Sequence, residues 1–279
     1  MNYHIPSKGE ILSTNIEDYP DGIVLPIDKP YRWTSADVIR KVKWAACKHF
    51  GRKNLKVGHA GTLDPLATGV LLVCLGKATK LADSLQAHTK EYVAGVSFGA
   101  TTPSYDREKD IDADYPLDGV NGQSIKEALE KFTGPQMQVA PLFSAKSIDG
   151  VRAYETARRL YREGRLDECG DLIRASAITI ESLELLSMTD EPDTSAPPED
   201  ARCRINVADI SGHALIQTEI LVRCSKGTYI RALARDLGEA LGSGAFLHSL
   251  RRTATGNFRI ENALSLDEAL SSLRACDNM

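Results

Sequence analysis

The chain has 279 residues, 42 % of them hydrophobic and 26 % charged, with a formal net charge of -4. That balance excludes a disordered, collagenous or coiled-coil chain and supplies enough apolar surface for one large or two small domains. No apolar run approaches the ~18 residues of a membrane span and residues 1–10 hold no signal-peptide core. The six cysteines form no Cys-x-x-Cys pair, so the expectation is free thiols in a reducing cytoplasm.

In chain order, residues 11–20 read as a short polar arm. Residues 22–30 (GIVLPIDKP) read as a strand running into a turn limited by Pro30. Thr34 stands three residues before Asp37, a capping-box spacing that predicts a helix to about Phe50. Val38, Val42, Ala45 and Ala46 form its inner face, and Arg40, Lys41, Lys43 and Lys48 its outer one. Residues 54–68 predict a loop punctuated by Gly and Pro, residues 69–75 a buried apolar segment and residues 79–88 a short helix. Tyr92, Ala94, Val96 and Phe98 alternate with Val93, Gly95 and Ser97 at strand period. Residues 106–123 form an acidic, turn-rich connection. Ser124, with Glu127 three residues on, predicts a capped helix to Phe132. Residues 134–151 are irregular, residues 153–163 helical and residues 177–186 a strand. Residues 189–200 (TDEPDTSAPPED) predict an exposed loop. Residues 205–210 and 214–222 predict paired strands across Ser211-Gly212-His213. A helix over 229–241 buries Ile230, Leu233, Ala234, Leu237 and Leu241, and a short helix over 266–273 follows. Strands and helices without regular alternation favour an α+β fold, and no phosphate loop or dinucleotide fingerprint occurs.

Charge is unevenly distributed. Residues 29–56 hold nine Lys/Arg against one acid, Asp37, and residues 223–259 hold seven against Asp236 and Glu239. Acids collect at 106–118 and 190–200. Two basic tracts either focus potential for a nucleic-acid partner or are solvated helix surfaces.

The stretch with most chemical content is GHAGTLDPLATGVL, residues 58–71. Gly58 and Gly61 permit a tight path and Pro65 stiffens the chain just after Asp64. Such a loop fixes where a carboxylate points, as a nucleophile or base requires. Equally, Asp64 could cap its own turn by binding the N–H of Ala67 or a neighbour. His59 is either a satisfied turn histidine or a ring for stacking on an unpaired nucleotide. The six histidines show no metal-ligand spacing. In CSKGTYIRALARDLG, residues 224–238, Arg231 lies early in a helix, where a cation opposes the helix dipole. A carboxylate or phosphate would compensate, which makes Arg231 a candidate partner for Asp64. An exposed arginine without a fixed partner is the alternative.

Taken together these residues resemble the bacterial pseudouridine synthases that modify uridine 55 in the T loop of transfer RNA, the TruB family. The resemblance rests on residues 22–30, GHAGTLDPLATGVLLVCLGKATK at 58–80, KEYVAGVSFG at 90–99, PLFSAKSIDGVRAYETAR at 141–158 and CSKGTYIRALARDLG at 224–238. It implies the pseudouridine synthase fold, a mixed, largely antiparallel central sheet flanked by helices and long loops. It implies isomerisation of uridine to its C-glycoside with no cofactor and no metal. It puts the catalytic aspartate at Asp64, the tyrosine that stacks on uracil at Tyr92 and the arginine that pairs with the aspartate at Arg231. The histidine that helps displace the base falls on His59, the DKP lysine supporting the active-site loop on Lys29, and a further acid near the loop-binding surface on Asp106. The implied partner is the T stem-loop of transfer RNA, bound by a cytoplasmic monomer, with phosphates met by both basic tracts.

Three departures stand out. Relatives often read Thr-Asp-Thr where this chain has Thr102-Pro103-Ser104. Only 27 residues follow Arg252, too few for the C-terminal RNA-binding barrel of many relatives. The acidic 190–200 insertion repels phosphate and should face away from RNA. The expected segments are an arm at 1–21, a catalytic domain at 22–260 and a short helical tail at 261–279. The competing readings are a sibling synthase acting on ribosomal RNA, an RNA-folding chaperone without modification activity, and a metal-free hydrolase. The last lacks a second carboxylate at glycosidase spacing.

Overall fold

The computed structural model describes residues 3–144, 147–148, 151–163, 165, 174–191 and 205–274. Its strands are β1 (Ile23–Lys29), β2 (Val57–Ala60), β3 (Ala67–Leu75), β4 (Lys90–Phe98), β5 (Ala100–Thr101), β6 (Ala113–Asp114), β7 (Gly134–Gln138), β8 (Ser147–Ile148), β9 (Val151–Arg152), β10 (Ser176–Thr189), β11 (Ile216–Cys224), β12 (Ala245–Thr255), β13 (Phe258–Arg259) and β14 (Leu264–Ser265). Its helices are α1 (Ser35–His49), α2 (Ala82–Ala87), α3 (Gly122–Lys131), α4 (Ala153–Arg162), α5 (Ile230–Leu241) and α6 (Leu266–Ser272). The fold is α+β, with mixed, largely antiparallel sheet flanked by helices. The chain divides into two units, residues 1–92 with 250–279, and residues 93–249. The divisions fall inside β4 and β12.

In the first unit β3 is the hub. It runs antiparallel to β1 from Ile23↔Leu75 to Lys29↔Gly69. Its start pairs in parallel with β12 at 250–252, and its end pairs with β2. Strands enclosed on both sides read as near-continuous apolar runs. Accordingly every residue of β3 except Thr68 is buried, and every residue of β1 except Asp28. Val24, Ala60, Val70, Leu72, Cys74, Ala78, Leu85 and Ala263 form one core cluster. Each large aliphatic side chain there contributes about 1.5–3 kcal/mol by leaving water. α1 starts where the spacing predicts. The Thr34 hydroxyl accepts from Asp37 N–H, and the Asp37 carboxylate accepts from Thr34 N–H. Val38, Val42, Ala45 and Ala46 are buried, while Arg40, Lys41, Lys43 and Lys48 are exposed.

In the second unit β10 lies between β7 and β11, antiparallel to both, with two bulges against β11. α3 and α5 pack together, and α3 also packs on β10. Ala100, Ile210, Leu215 and Phe246 form a second core cluster.

Several expectations are corrected. The loop expected over 54–68 contains β2, because residues 57–60 complete the edge of β3 that β12 leaves unpaired. The α3 N-cap is Asn121, not Ser124, which instead closes the capping box from inside the helix. Residues 205–210 form no strand, since the edge of β11 that faces an antiparallel neighbour is filled by β10. The alternation of β4 holds only to Ala94; Gly95, Val96, Ser97 and Phe98 are all buried. The expected acidic loop at 190–200 lies outside the described residues from 192 onward, as do residues 145–146 and 149–150 of the 141–158 block. Among the described residues Cys47 and Cys74 are free thiols, and no helix is long and apolar enough to cross a membrane.

Gly69 carries a sharp local constraint. Its φ is +101°, and a Cβ there would stand 2.1 Å from the Arg252 carbonyl oxygen. Gly69→Ala is therefore expected to cost at least about 2 kcal/mol. Urea unfolding measures it, and a midpoint equal to wild type would show that β3 and β12 can separate without penalty.

Candidate active site

Asp64 sits between β2 and β3 in the first unit and is half-buried. It is not sealed under apolar side chains. Its turn is closed by the main chain, Ala67 N–H donating to the Asp64 carbonyl at 3.1 Å. The Ala67 N–H is thus taken by the main chain.

The resemblance implies Lys29 as a support of this loop. Lys29, at the end of β1, is 0 % exposed. Its ammonium donates to the carbonyls of Pro30 (2.9 Å), Trp33 (2.6 Å) and Pro65 (3.2 Å), tying the chain just after Asp64 to the start of α1. Burial pushes its pKa down to about 8, while the negative charge of Asp64 works the other way. Lys29 and Asp64 are therefore electrostatic neighbours, even though the lysine's hydrogen bonds go to carbonyls.

His59 lies in β2 opposite Val73. Its Nδ1 is buried without a hydrogen-bond partner. Burial, and next the Arg252 guanidinium, hold the ring below its ordinary range. The imidazole is neutral at pH 7, which suits an apolar wedge better than a phosphate contact.

Tyr92 closes the first unit on β4, 7 % exposed. Arg231 and Asp106 belong to the second unit and meet there. Arg231, in the first turn of α5, is 3 % exposed. Its fork donates to the carbonyls of Ser104 and Phe143, both at 2.9 Å, and its Nε stands 3.6 Å from Asp106 Oδ2. The dipole penalty noted from the sequence is met by two carbonyls and a carboxylate. Asp106 also accepts from the Ser104 hydroxyl (2.6 Å) and Glu108 N–H (2.9 Å), and Thr102 donates to its main-chain oxygen (2.7 Å). The Thr102-Pro103-Ser104 variant thus keeps two hydroxyls on Asp106 despite carrying no acid.

Sequence reasoning missed three residues. Ser35 and Arg252 hold the chain before Asp64. Gln138 accepts from Tyr229 N–H (2.9 Å) and donates to Tyr229 carbonyl (3.1 Å), fixing the residue that opens α5. Their sequence neighbours do not set them apart: Ser35 follows Thr34, Gln138 stands two residues from Gln136, and Arg252 lies between Arg251 and Thr253. Arg252 is also a correction to the expected phosphate-binding tracts. Arg252, Arg231 and Lys29 are internal, whereas Arg52, Lys53 and Lys56 are exposed. With Lys77 and Lys80 these last three line a cleft of about 600 Å3 whose one acid, Glu17, is paired with Arg52 at 3.0 Å. Positive surface is thus confined to part of each tract. No His/Cys/Asp/Glu cluster able to hold a metal ion occurs among the described residues.

His59 gives a pH prediction with a definite sign. A folded pKa below 6.5 means that the unfolded chain takes up the proton first as pH falls. The stability this ring contributes is present above pH 6.5 and lost on acidification through its folded pKa. An NMR titration should place the His59 midpoint below 6.5, and Arg252→Met should move it upward. A midpoint at or above 6.5 would contradict the arrangement.

A family model described as the N-terminal domain of TruB family pseudouridylate synthase matches residues 48–230. A second, the tRNA pseudouridylate synthase B C-terminal domain, matches residues 231–278. The tRNA pseudouridine synthase B of Phocaeicola vulgatus is 45 % identical over 250 residues, covering 90 % of this chain and 92 % of that protein. The protein of the same name from Bacteroides thetaiotaomicron is 46 % identical over 247 residues, 88 % of this chain and 91 % of that protein. Among solved structures, a Cbf5-Nop10-Gar1 complex contains a chain that matches at a TM-score of 0.57 and 25 % identity, over 98 % of this chain and 65 % of that one. An H/ACA RNP bound to a substrate RNA containing 2'-deoxyuridine contains another, at a TM-score of 0.53 and 25 % identity, over 88 % of this chain and 51 % of that one. This chain spans between half and two thirds of those two solved chains. Family models that together reach from residue 48 to 278, joined to relatives of this identity along nearly their whole length, show that the chain belongs to the TruB family of pseudouridylate synthases.

Proposed function

We propose that this protein converts uridine 55 in the T loop of transfer RNA to pseudouridine, with Asp64 as the reacting carboxylate. The observation that carries the reading is a half-buried acid on a loop whose main chain is tied down on both sides. The target base is inside a folded loop and must be extruded before its glycosidic bond is reachable. The N1–C1′ bond then breaks, a C5–C1′ bond forms, C5 gives up its proton and N1 gains one, so nothing enters or leaves. Asp64 attacks the sugar or the base and holds one fragment while the other turns. Tyr92 supplies a flat ring for the uracil and a hydroxyl for proton removal. Arg231 takes the part of the arginine that the family pairs with this carboxylate, a cation that favours the charged form. His59, neutral, displaces the base, and Asp106 orients Arg231.

The catalytic segment in this reading is 22–260, acting as a cytoplasmic monomer without cofactor or metal. RNA affinity comes from phosphate contacts by exposed cations, with Lys53, Lys56, Lys77 and Lys80 best placed among those described.

Asp64→Asn should abolish product while leaving transfer-RNA affinity within roughly tenfold, about 1.4 kcal/mol. Pseudouridine mapping of treated, initially unmodified transfer RNA checks it; wild-type yield from the variant removes Asp64 from the chemistry. Arg231→Lys should lose most of the rate, because a point charge cannot reproduce a planar fork. Unchanged single-turnover kinetics would refute that role. Binding should weaken steeply with salt as condensed counterions cease to be released; a flat dependence would mean that the exposed cations do not meet phosphate.

A further inference from the structure

The segment from Gly61 to Leu66 lies between β2 and β3, outside both ladders. Its polar main-chain groups need partners from elsewhere. Ser35, the first residue of α1, supplies some of them. It is buried, and its hydroxyl accepts from Leu63 N–H at 2.9 Å and donates to the Leu63 carbonyl at 3.0 Å. One hydroxyl thereby satisfies both main-chain groups of the residue immediately before Asp64.

Arg252 supplies more. It stands in β12, 1 % exposed, and donates from Nη2 to the Gly61 carbonyl at 3.0 Å, from Nη1 to the Thr62 carbonyl at 3.4 Å and from Nε to the Val70 carbonyl at 2.7 Å. A buried guanidinium ordinarily finds a carboxylate. Among the described residues this one is given to carbonyls alone, two before Asp64 and one after it. The same planar group therefore spans both ends of the loop, and the backbone of Arg252 is locked against Gly69.

We propose that Ser35 and Arg252 are positioning residues for the Asp64 carboxylate. They fix Gly61, Thr62 and Leu63 so that the carboxylate leaves the main chain at one place and in one direction. The proposal rests on Asp64 being the reacting group. Neither residue touches the base; each acts through the backbone. Loss of Ser35 frees the loop, and loss of Arg252 frees the loop and the Val70 carbonyl of β3, so the expected effect is on the chemical step. Misplacement by about 1 Å costs on the order of a hundredfold in rate.

The test is single-turnover pseudouridine formation at saturating enzyme, with transfer-RNA binding and thermal unfolding measured on the same preparations. Ser35→Ala removes one oxygen and Arg252→Gln keeps a planar donor that is too short to span the loop. Both should lower the single-turnover rate by roughly a hundredfold. Both should leave the dissociation constant within about threefold, a difference too small to come from lost phosphate contacts. Ser35→Thr, which restores the hydroxyl, should recover at least tenfold of the loss, whereas Arg252→Lys should not recover, because a point-like ammonium does not reproduce the planar fork that reaches Gly61, Thr62 and Val70 together. Wild-type rates in folded Ser35→Ala and Arg252→Gln would overturn the proposal. So would rates that return to wild type on cooling to where the variants are fully folded. Asp64→Asn in the same assay separates the two readings. An active Asp64→Asn defeats the assignment of the carboxylate, while an inactive one beside wild-type Ser35→Ala and Arg252→Gln defeats the positioning alone.

Discussion

A carboxylate performs directed chemistry only if the chain beneath it does not move, and the chain beneath Asp64 has no ladder to stiffen it. Three buried side chains take that place. Lys29 from the end of β1 holds the Pro65 carbonyl, Ser35 from the start of α1 holds Leu63, and Arg252 from β12 holds Gly61 and Thr62. Two of the three are cations taken out of water. Each unit of charge buried this way is costly unless oriented dipoles surround it. The carbonyls of the loop are those dipoles, so the loop and the cations stabilise one another. Much of the first unit can be understood as what is required to deliver these three side chains: a buried β1, a capped α1, and a glycine at position 69 so that β12 can come close.

The second unit uses the same device with a different charge balance. Gln138 brackets the main chain of Tyr229, and Arg231 reaches the carbonyls of Ser104 and Phe143. Here an acid is present, Asp106, itself fixed by the Ser104 hydroxyl and the Glu108 amide. Arg231 is thus partly neutralised inside its own unit, whereas all of the hydrogen bonds of Arg252 go to carbonyls. In both units an interior arginine ties a loop to a strand or helix, so neither arginine is available as a surface contact.

This changes how the charge of the chain is to be read. A net charge of -4 coexists with a positive cleft because the cations near it are exposed and the acid beside them is paired. Basic tracts counted along the sequence mix two populations. Arg52, Lys53 and Lys56 face solvent, while Lys29, Arg231 and Arg252 hold carbonyls. Only the first population can contribute to a salt-dependent interaction with phosphate.

Local rules made much of this molecule legible in advance. The Thr34–Asp37 capping box, the inner face of α1, the apolar β3 and the helix carrying Arg231 all depend on neighbours within a few residues, and a linear reading sees such neighbours. The Gly58–Leu71 stretch likewise announced a fixed carboxylate, because Gly and Pro act on their own backbone. What failed was whatever depended on a distant partner. β2 exists because β3 has an edge to fill, residues 205–210 are not a strand because β10 occupies the place expected for them, and the sign of a cation in the sequence says nothing about whether it faces water or a carbonyl. Ser35 and Leu63 are 28 positions apart, and Arg252 and Gly61 are 191 apart. The residues alone determined which carboxylate the loop carries; only tertiary folding decided what grips the loop and so how stiff it is, because a hydrogen bond to a main-chain carbonyl leaves no trace in the identity of the residue that accepts it.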